Sequence, residues 1–189
     1  MYKAPAVRYL GRGDGKSIGG ECTMPGFPPI AVRQPRPYDL VDDPVEACGV
    51  GTGFEGTFSA RVRDGNGAQL GPITIAAGGT CVWGNFRAAI PLGGVPATPQ
   101  GTLEVFEFSA SGDGTELHKV VMPITFGRAL LDPYHGFAQH TVVAGDTQSG
   151  IAQHWYGDPN RWPRIFEANR HRISDPDLIF AGQVLRVPQ

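Results

Sequence analysis

The stretch from Gln139 to Gln189, QHTVVAGDTQSGIAQHWYGDPNRWPRIFEANRHRISDPDLIFAGQVLRVPQ, constrains this chain more than any other. A β-prone run, His140 to Ala144, meets Gly145-Asp146-Thr147, where the side chain of Asp146 or Thr147 can accept from the free N–H groups of a helix start. Ile151 and Trp155 lie four apart, as do Ala152 and Tyr156, so the apolar groups share one face until Gly157 ends the helix. Trp162, Ile165, Phe166 and Asn169 then repeat at three and four residues. Pro163 is tolerated only near a helix start, which predicts a second helix over 163–169. A loop, 170–183, leads into Val184-Leu185-Arg186-Val187, with Val184 and Arg186 on one face and Leu185 and Val187 on the other. The expected order is β-α-α-β. Its core is expected from Val143, Ile151, Trp155, Trp162, Ile165, Ile179, Leu185 and Val187.

These residues resemble a LysM domain. The resemblance spans 139–189 and is carried by Val142-Val143-Ala144-Gly145-Asp146-Thr147, Ser149-Gly150-Ile151-Ala152, Tyr156-Gly157-Asp158-Pro159, Trp162-Pro163 with Ile165, Ala168-Asn169, Asp177-Leu178-Ile179 and Gly182-Gln183-Val184-Leu185. It implies binding of peptidoglycan or another N-acetylglucosamine-containing glycan in a groove between the loops 145–149 and 174–180. The candidate glycan-binding residues are Gly145, Asp146, Thr147, Gln148, Asp177, Leu178, Ile179 and Phe180. Backbone groups and the side chains of Asp146, Thr147 and Gln148 can hydrogen-bond N-acetyl and hydroxyl groups, while Leu178, Ile179 or Phe180 offers an apolar floor. Two positions depart from the family pattern: Gln148 stands where an apolar residue is usual, and Ala181 where proline is usual. Packing accounts for several of the same residues. Asp146 and Thr147 can serve as helix caps, Asp175-Pro176-Asp177 as a turn, Ile179 as core, and Trp155 and Trp162 as core aromatics at helical spacing.

Ahead of this module the pattern changes. Gly 27 and Pro 17 together approach about twice the usual share, which favours strands joined by turns. Ile30-Ala31-Val32 and Val45 to Val50 are extended runs. Phe58, Ala60 and Val62 alternate with Ser59, Arg61 and Arg63 before the turn Asp64-Gly65-Asn66-Gly67. Ile73 and Ile75, Phe86, Ala88 and Ile90, Leu103 to Phe108, and Val120, Met122, Ile124 and Phe126 continue the series, with a second turn at Ser111-Gly112-Asp113-Gly114. About seven strands at roughly ten-residue spacing suit an all-β two-sheet sandwich of immunoglobulin type. The region resembles the immunoglobulin-like domain of bacterial spore-germination proteins, on Ile30 to Pro35, Gly51 to Thr57, Arg63 to Gly67, Gly84-Asn85-Phe86, Gly101 to Ala110 and Gly112-Asp113-Gly114. That resemblance implies a spacer or docking domain. The expected organisation is multidomain: a flexible leader over 1–28, the sandwich over 29–127, a linker over 128–138, whose apolar Leu130, Leu131, Tyr134 and Phe137 can dock on a neighbour, and a small α+β (βααβ) LysM domain over 139–189.

A formal net charge of -2 without blocks of either sign gives no footprint for nucleic acid. The N-terminal residues lack the apolar core of an export signal, and no apolar run approaches a membrane span. The expectation is synthesis in the bacterial cytoplasm and action at the cell wall or within a large assembly. Gly11-Arg12-Gly13-Asp14-Gly15-Lys16-Ser17 looks like a phosphate loop, but Leu10 occupies the first glycine position and no helical pattern follows; Arg12-Gly13-Asp14 is a chance tripeptide. Gly49 to Gly53 is better explained by turns than by a dinucleotide loop. Cys22, Cys48 and Cys81 are expected as reduced thiols, with a Cys48–Cys81 bridge as the alternative. No metal or cofactor pattern is present. Glu104 and Glu107 fall on opposite strand faces, the wrong arrangement for a paired-carboxylate site, and no catalytic motif appears, so the chain is not expected to be an enzyme. The expected function is non-catalytic glycan binding. The alternative is a structural adaptor in an envelope or phage-tail-like injection assembly, with other proteins of that assembly as partners.

Overall fold

The computed structural model describes residues 28–53, 56–77, 79–80 and 82–189. The leader to residue 27, with the Gly11 to Ser17 stretch and Cys22, lies outside the described residues, as does Cys81. Cys48 is a free thiol whose Sγ lies 3.6 Å from Gln34 Oε1.

The first region is built from β1 (Ile30–Gln34), β2 (Asp39–Val41), β3 (Val45–Gly53), β4 (Thr57–Asp64), β5 (Gln69–Ala77), β6 (Gly79–Thr80), β7 (Gly84–Ile90), β8 (Gln100–Phe108) and β9 (Glu116–Phe126). One sheet has β3 at its centre, antiparallel to β1 and β7 and parallel to the short β6. The other runs β2-β9-β8-β4-β5, all antiparallel except β2 beside β9. The two strands beyond the expected seven are β2 and β6, too short to show a period in sequence.

Alternation explains the core. Phe86, Ala88 and Ile90 of β7 are buried while Asn85, Arg87 and Ala89 between them are exposed. They meet Ile30, Val45 and Ala47 of their own sheet and Phe58, Ala60, Val62, Leu103, Val105, Ile124 and Phe126 of the other in one apolar cluster. Burying each large side chain contributes roughly 1.5–3 kcal/mol before entropy is counted. Ser59 and Arg61, which alternate with these core residues along β4, are buried too. On that face the Arg61 guanidinium donates to Glu104 at 2.6 Å and to both carboxylate oxygens of Glu116 at 2.6 and 2.9 Å, and it lies over the Phe106 ring. Burial opposes the charge of Arg61, but the two carboxylates outweigh it and hold the guanidinium charged. Glu107 pairs with His118 at 3.3 Å instead, so Glu104 and Glu107 belong to different clusters.

The stretch read as a linker carries structure of its own. A helical turn, α1 (Gly127–Leu130), follows β9 directly, and β10 (Phe137–Thr141) starts before that stretch ends. His135 N donates to Gln189 O at 2.6 Å and Gln189 N to Gly136 O at 2.8 Å, extending the pairing of β10 with the C-terminal β11 (Val184–Pro188), in which His140 faces Leu185. Between these strands lie α2 (Gln148–Tyr156), a 3-10 turn at Pro159–Arg161 capped by Asp158, and α3 (Trp162–Asn169). Gly157 closes α2 at φ 70°, a left-handed conformation that suits glycine. Val142, Ile151, Ala152, Ile165, Ile173, Leu185 and Val187 form the second core. Val143, expected inside, is 60% exposed, and Val142 is buried in its place. The strand is shifted three residues earlier than expected and ends at Thr141, so strand alternation no longer governs Val142 and Val143.

The regions touch through named side chains. Arg186 of β11 donates to Tyr38 O at 2.7 Å and to Asp39 Oδ1 at 3.2 Å. Tyr38 stacks on His171 with ring centroids 5.3 Å apart and planes 7° from parallel. Gln100 Nε2 of β8 donates to Glu167 O of α3 at 3.1 Å. Tyr38 holds φ at 63°, uncommon for a side chain of its size, while its N–H is fixed to Pro123 O at 2.7 Å.

Candidate functional site

The site is a small groove of about 140 Å³ where the loop before α2 meets the loop before β11. From the first side come Asp146, Thr147, Gln148 and Ser149; from the second, Pro176, Asp177 and Ile179; Trp162 of α3 also lines it.

Local chemistry fixes each side chain. Thr147 is the N-cap of α2, its Oγ1 accepting from Gly150 N at 3.0 Å and lying 3.1 Å from Ser149 Oγ. Asp146, the other candidate cap, has a different task. Its Oδ2 accepts from Val143 N at 2.9 Å and lies 2.9 Å from His140 Nε2, closing the turn between β10 and α2. Trp155 Nε1 lies 3.3 Å from His140 Nδ1. Because an indole N–H can only donate, Nδ1 is the acceptor and Nε2 carries the proton given to Asp146. The Val143 N–H, and after it His140, hold the Asp146 carboxyl below its ordinary range. Gly145 reaches φ 92° in this turn, where a side chain would be strained. It shapes the loop and is not among the groove-lining residues.

Gln148 joins the two walls. Its side chain is 4% exposed, and Nε2 donates to Pro176 O at 3.0 Å across the groove. Its Oε1 is buried with no hydrogen-bond partner among the described residues. A buried acceptor left in that state costs about 1–3 kcal/mol. On the opposite wall Asp175 Oδ1 accepts from Asp177 N at 2.9 Å, the turn expected at Asp175-Pro176-Asp177.

The structure thus brings together Asp146, Thr147, Gln148, Asp177 and Ile179 of the expected set and separates the rest. Leu178 and Phe180 are 56% and 67% exposed and are not among the groove-lining residues; the turn that bonds Leu178 N to Asp175 O at 3.1 Å sets the course of this loop. The apolar floor is therefore Ile179, partly buried against the second core, with Trp162. Trp162 serves both purposes, packing on that core beside Phe166 and lining the groove. Its helical spacing accounts only for the first. Ser149 and Pro176 lie within the two expected loops, though neither was singled out as a candidate residue.

Comparison with known proteins agrees with this architecture. Residues 29–114 match the immunoglobulin-like domain of bacterial spore germination, and residues 140–188 match the LysM domain. Among curated proteins, the chain is 48% identical over 50 residues to a potassium binding protein of Escherichia coli, covering 26% of this chain and 34% of that one. It is 47% identical over 53 residues to an uncharacterized protein of Deinococcus radiodurans, covering 28% and 20%. It is 44% identical over 62 residues to an esterase of Mycobacterium tuberculosis, covering 33% and 13%. The chain spans about a third or less of the length of each of these relatives. No helix among the described residues is long and apolar enough to cross a membrane.

Proposed function

Starting from an immunoglobulin-like domain followed by a LysM domain, we propose that the chain is a non-catalytic binder of peptidoglycan or a related N-acetylglucosamine polymer at the bacterial cell wall. The first domain serves as its spacer or docking domain. The observation that carries this reading is the groove itself, with carboxylate, hydroxyl and amide groups of Asp146, Asp177, Thr147 and Gln148 around an apolar floor of Ile179 and Trp162. Polar groups converging on an apolar surface suit a sugar, which offers hydroxyl and amide groups at its edges and C–H groups on its faces. Sedimentation with insoluble peptidoglycan is the test. The full chain is expected in the pellet, and a chain ending at Gly136 in the supernatant; equal partition of both refutes wall binding.

A second reading, a structural adaptor within a large envelope or tail-like assembly, is favoured by the contacts between the two regions. Arg186 with Asp39 and Tyr38, and Tyr38 with His171, orient one module against the other, as an adaptor requires. Co-purification from the host separates the two. A multi-protein complex supports the adaptor, whereas recovery of the chain alone in the wall fraction refutes it.

A further inference from the structure

His140 is absent from the groove lining, yet its ring is bonded to a residue that belongs to it. The turn before α2 is closed twice without that bond. Asp146 N donates to Val143 O at 3.1 Å, and Val143 N donates to Asp146 Oδ2 at 2.9 Å. The imidazole brings a second donor to the same oxygen, also at 2.9 Å. Both donors converge on Oδ2, and among the described residues none reaches Oδ1. The carboxylate is therefore held by one oxygen only, although each of its oxygens can accept. Asp146 lines the groove, and 23% of its side chain is exposed there, so the carboxyl group is open to solvent. His140 is fixed in turn. The Trp155 indole N–H needs the bare Nδ1, so the ring carries its proton on Nε2, where it can donate to Asp146. The other tautomer would set two N–H groups against each other.

On the glycan-binding reading above, we infer that His140 is a positioning residue for this groove: through Nε2–H it holds Oδ2 of Asp146 toward the protein and leaves Oδ1 to accept a hydroxyl proton of the seated ligand. Without the imidazole, one backbone N–H alone would restrain the carboxylate about χ2, a broad torsion in aspartate. Hydrogen bonds to an ionised acceptor are stronger than neutral ones and depend on its direction, so the orientation of this one group affects affinity. Trp155 acts one step further back, by selecting the tautomer.

The test is a double-mutant cycle, read by calorimetric titration of the full chain with a β1,4-linked N-acetylglucosamine tetramer, with each protein's unfolding midpoint recorded alongside. Asp146→Asn keeps one oxygen for the two inner donors and replaces the other by an NH2 group, which can only donate. Binding is expected to weaken about tenfold, the loss of one hydrogen bond to an ionised acceptor. His140→Phe is expected to weaken it by a comparable factor, and His140→Gln, whose amide can donate to Asp146 and accept from Trp155, to restore most of that loss. In the Asp146→Asn background, His140→Phe is expected to change affinity by less than about twofold, because the two residues act as one unit. A residue that only supports the fold would weaken binding equally in both backgrounds. Additive losses, or unchanged affinity in either folded single variant, overturn the assignment and leave glycan binding standing. If His140→Phe does not fold, the natural protein decides: its His140 ring nitrogens are expected to show the proton on Nε2, and the Asp146 carboxyl carbon resonance to move on titration with the tetramer. A proton on Nδ1, or a stationary carboxyl resonance with ligand bound, overturns the assignment. If the natural protein does not bind the tetramer, the glycan reading falls and the role of His140 falls with it.

Discussion

Asn169 offers the sharpest test of how the second module is held together. It closes α3, is fully buried, and uses both amide protons: Nδ2 donates to Ile165 O and to Arg186 O, each at 2.7 Å, while Oδ1 accepts from Arg186 N at 2.8 Å. The β10–β11 sheet has two strands, and an isolated pair of strands is marginal in water. Here the side chain of Asn169 stands in for a third strand, taking both backbone groups of Arg186 that are turned toward α3. Asn169→Ala would orphan that N–H and that C=O beneath the helix. At about 1–3 kcal/mol for each group left unpaired, the loss is roughly 2–6 kcal/mol. A module of this size has about 2.5–7.5 kcal/mol in total, at 0.05–0.15 kcal/mol per residue. The substitution should therefore unfold the module or lower its melting midpoint by more than about 10 °C. Trp155 and Trp162 lie in this module and Trp83 in the other, so tryptophan fluorescence during heating reports mainly on the right transition. Asn169→Asp separates hydrogen bonding from size: a carboxylate would face two carbonyl oxygens, so it should be at least as damaging at neutral pH and partly recover in acid, where the protonated carboxyl can donate once. A midpoint in Asn169→Ala within about 3 °C of the natural protein would refute the three-bond account.

Arg186→Ala removes the bonds to Tyr38 O and Asp39. Because this ion pair is partly exposed, the expected stability change is under about 1 kcal/mol, while small-angle scattering should show a broader range of separations between the modules; an unchanged profile would count against the contact. His171, stacked on Tyr38, is held below its ordinary value of 6.5 by burial first and by Arg186 and Arg172 next, with Asp39 working the other way. A histidine depressed in the folded state contributes stability that is complete above its unfolded value and is lost as pH falls through the folded one. The melting midpoint should therefore fall below about pH 6.5, and His171→Phe should flatten that slope; an identical pH profile in the variant would contradict it.

Local rules explain what could be read from the sequence. The helix start with its cap at Asp146 or Thr147, resolved in favour of Thr147, the Gly157 stop and the burial of Leu185 and Val187 depend on neighbours a few residues away. So does the alternation in β7. The strand before α2 was misplaced because Phe137 and Ala138 look like linker, and their pairing with Pro188 and Val187 is a long-range fact. That shift exchanged Val142 for Val143 in the core. Asn169 was visible only as a polar residue on an apolar helical face, and its partners on Arg186 lie in another element. The groove was half legible. Motif residues placed both loops, but the direction of Leu178 and Phe180, and the role of Asp146 as a turn closer, depend on backbone geometry that spacing does not encode. The docking of Arg186 on Tyr38 and Asp39 joins residues 148 and 147 positions apart, and nothing local announces it.

The central claim is that glycan lies between the loops 145–149 and 174–180, and its most direct test is a titration of the isotopically labelled full chain with a β1,4-linked N-acetylglucosamine tetramer, followed by amide resonances. The account predicts shifts concentrated at Asp146 to Ser149, at Asp177 to Ile179 and at the Trp162 indole, with the amides of β1 to β9 unmoved. An unperturbed spectrum at millimolar tetramer, or shifts centred on the first domain, would contradict it.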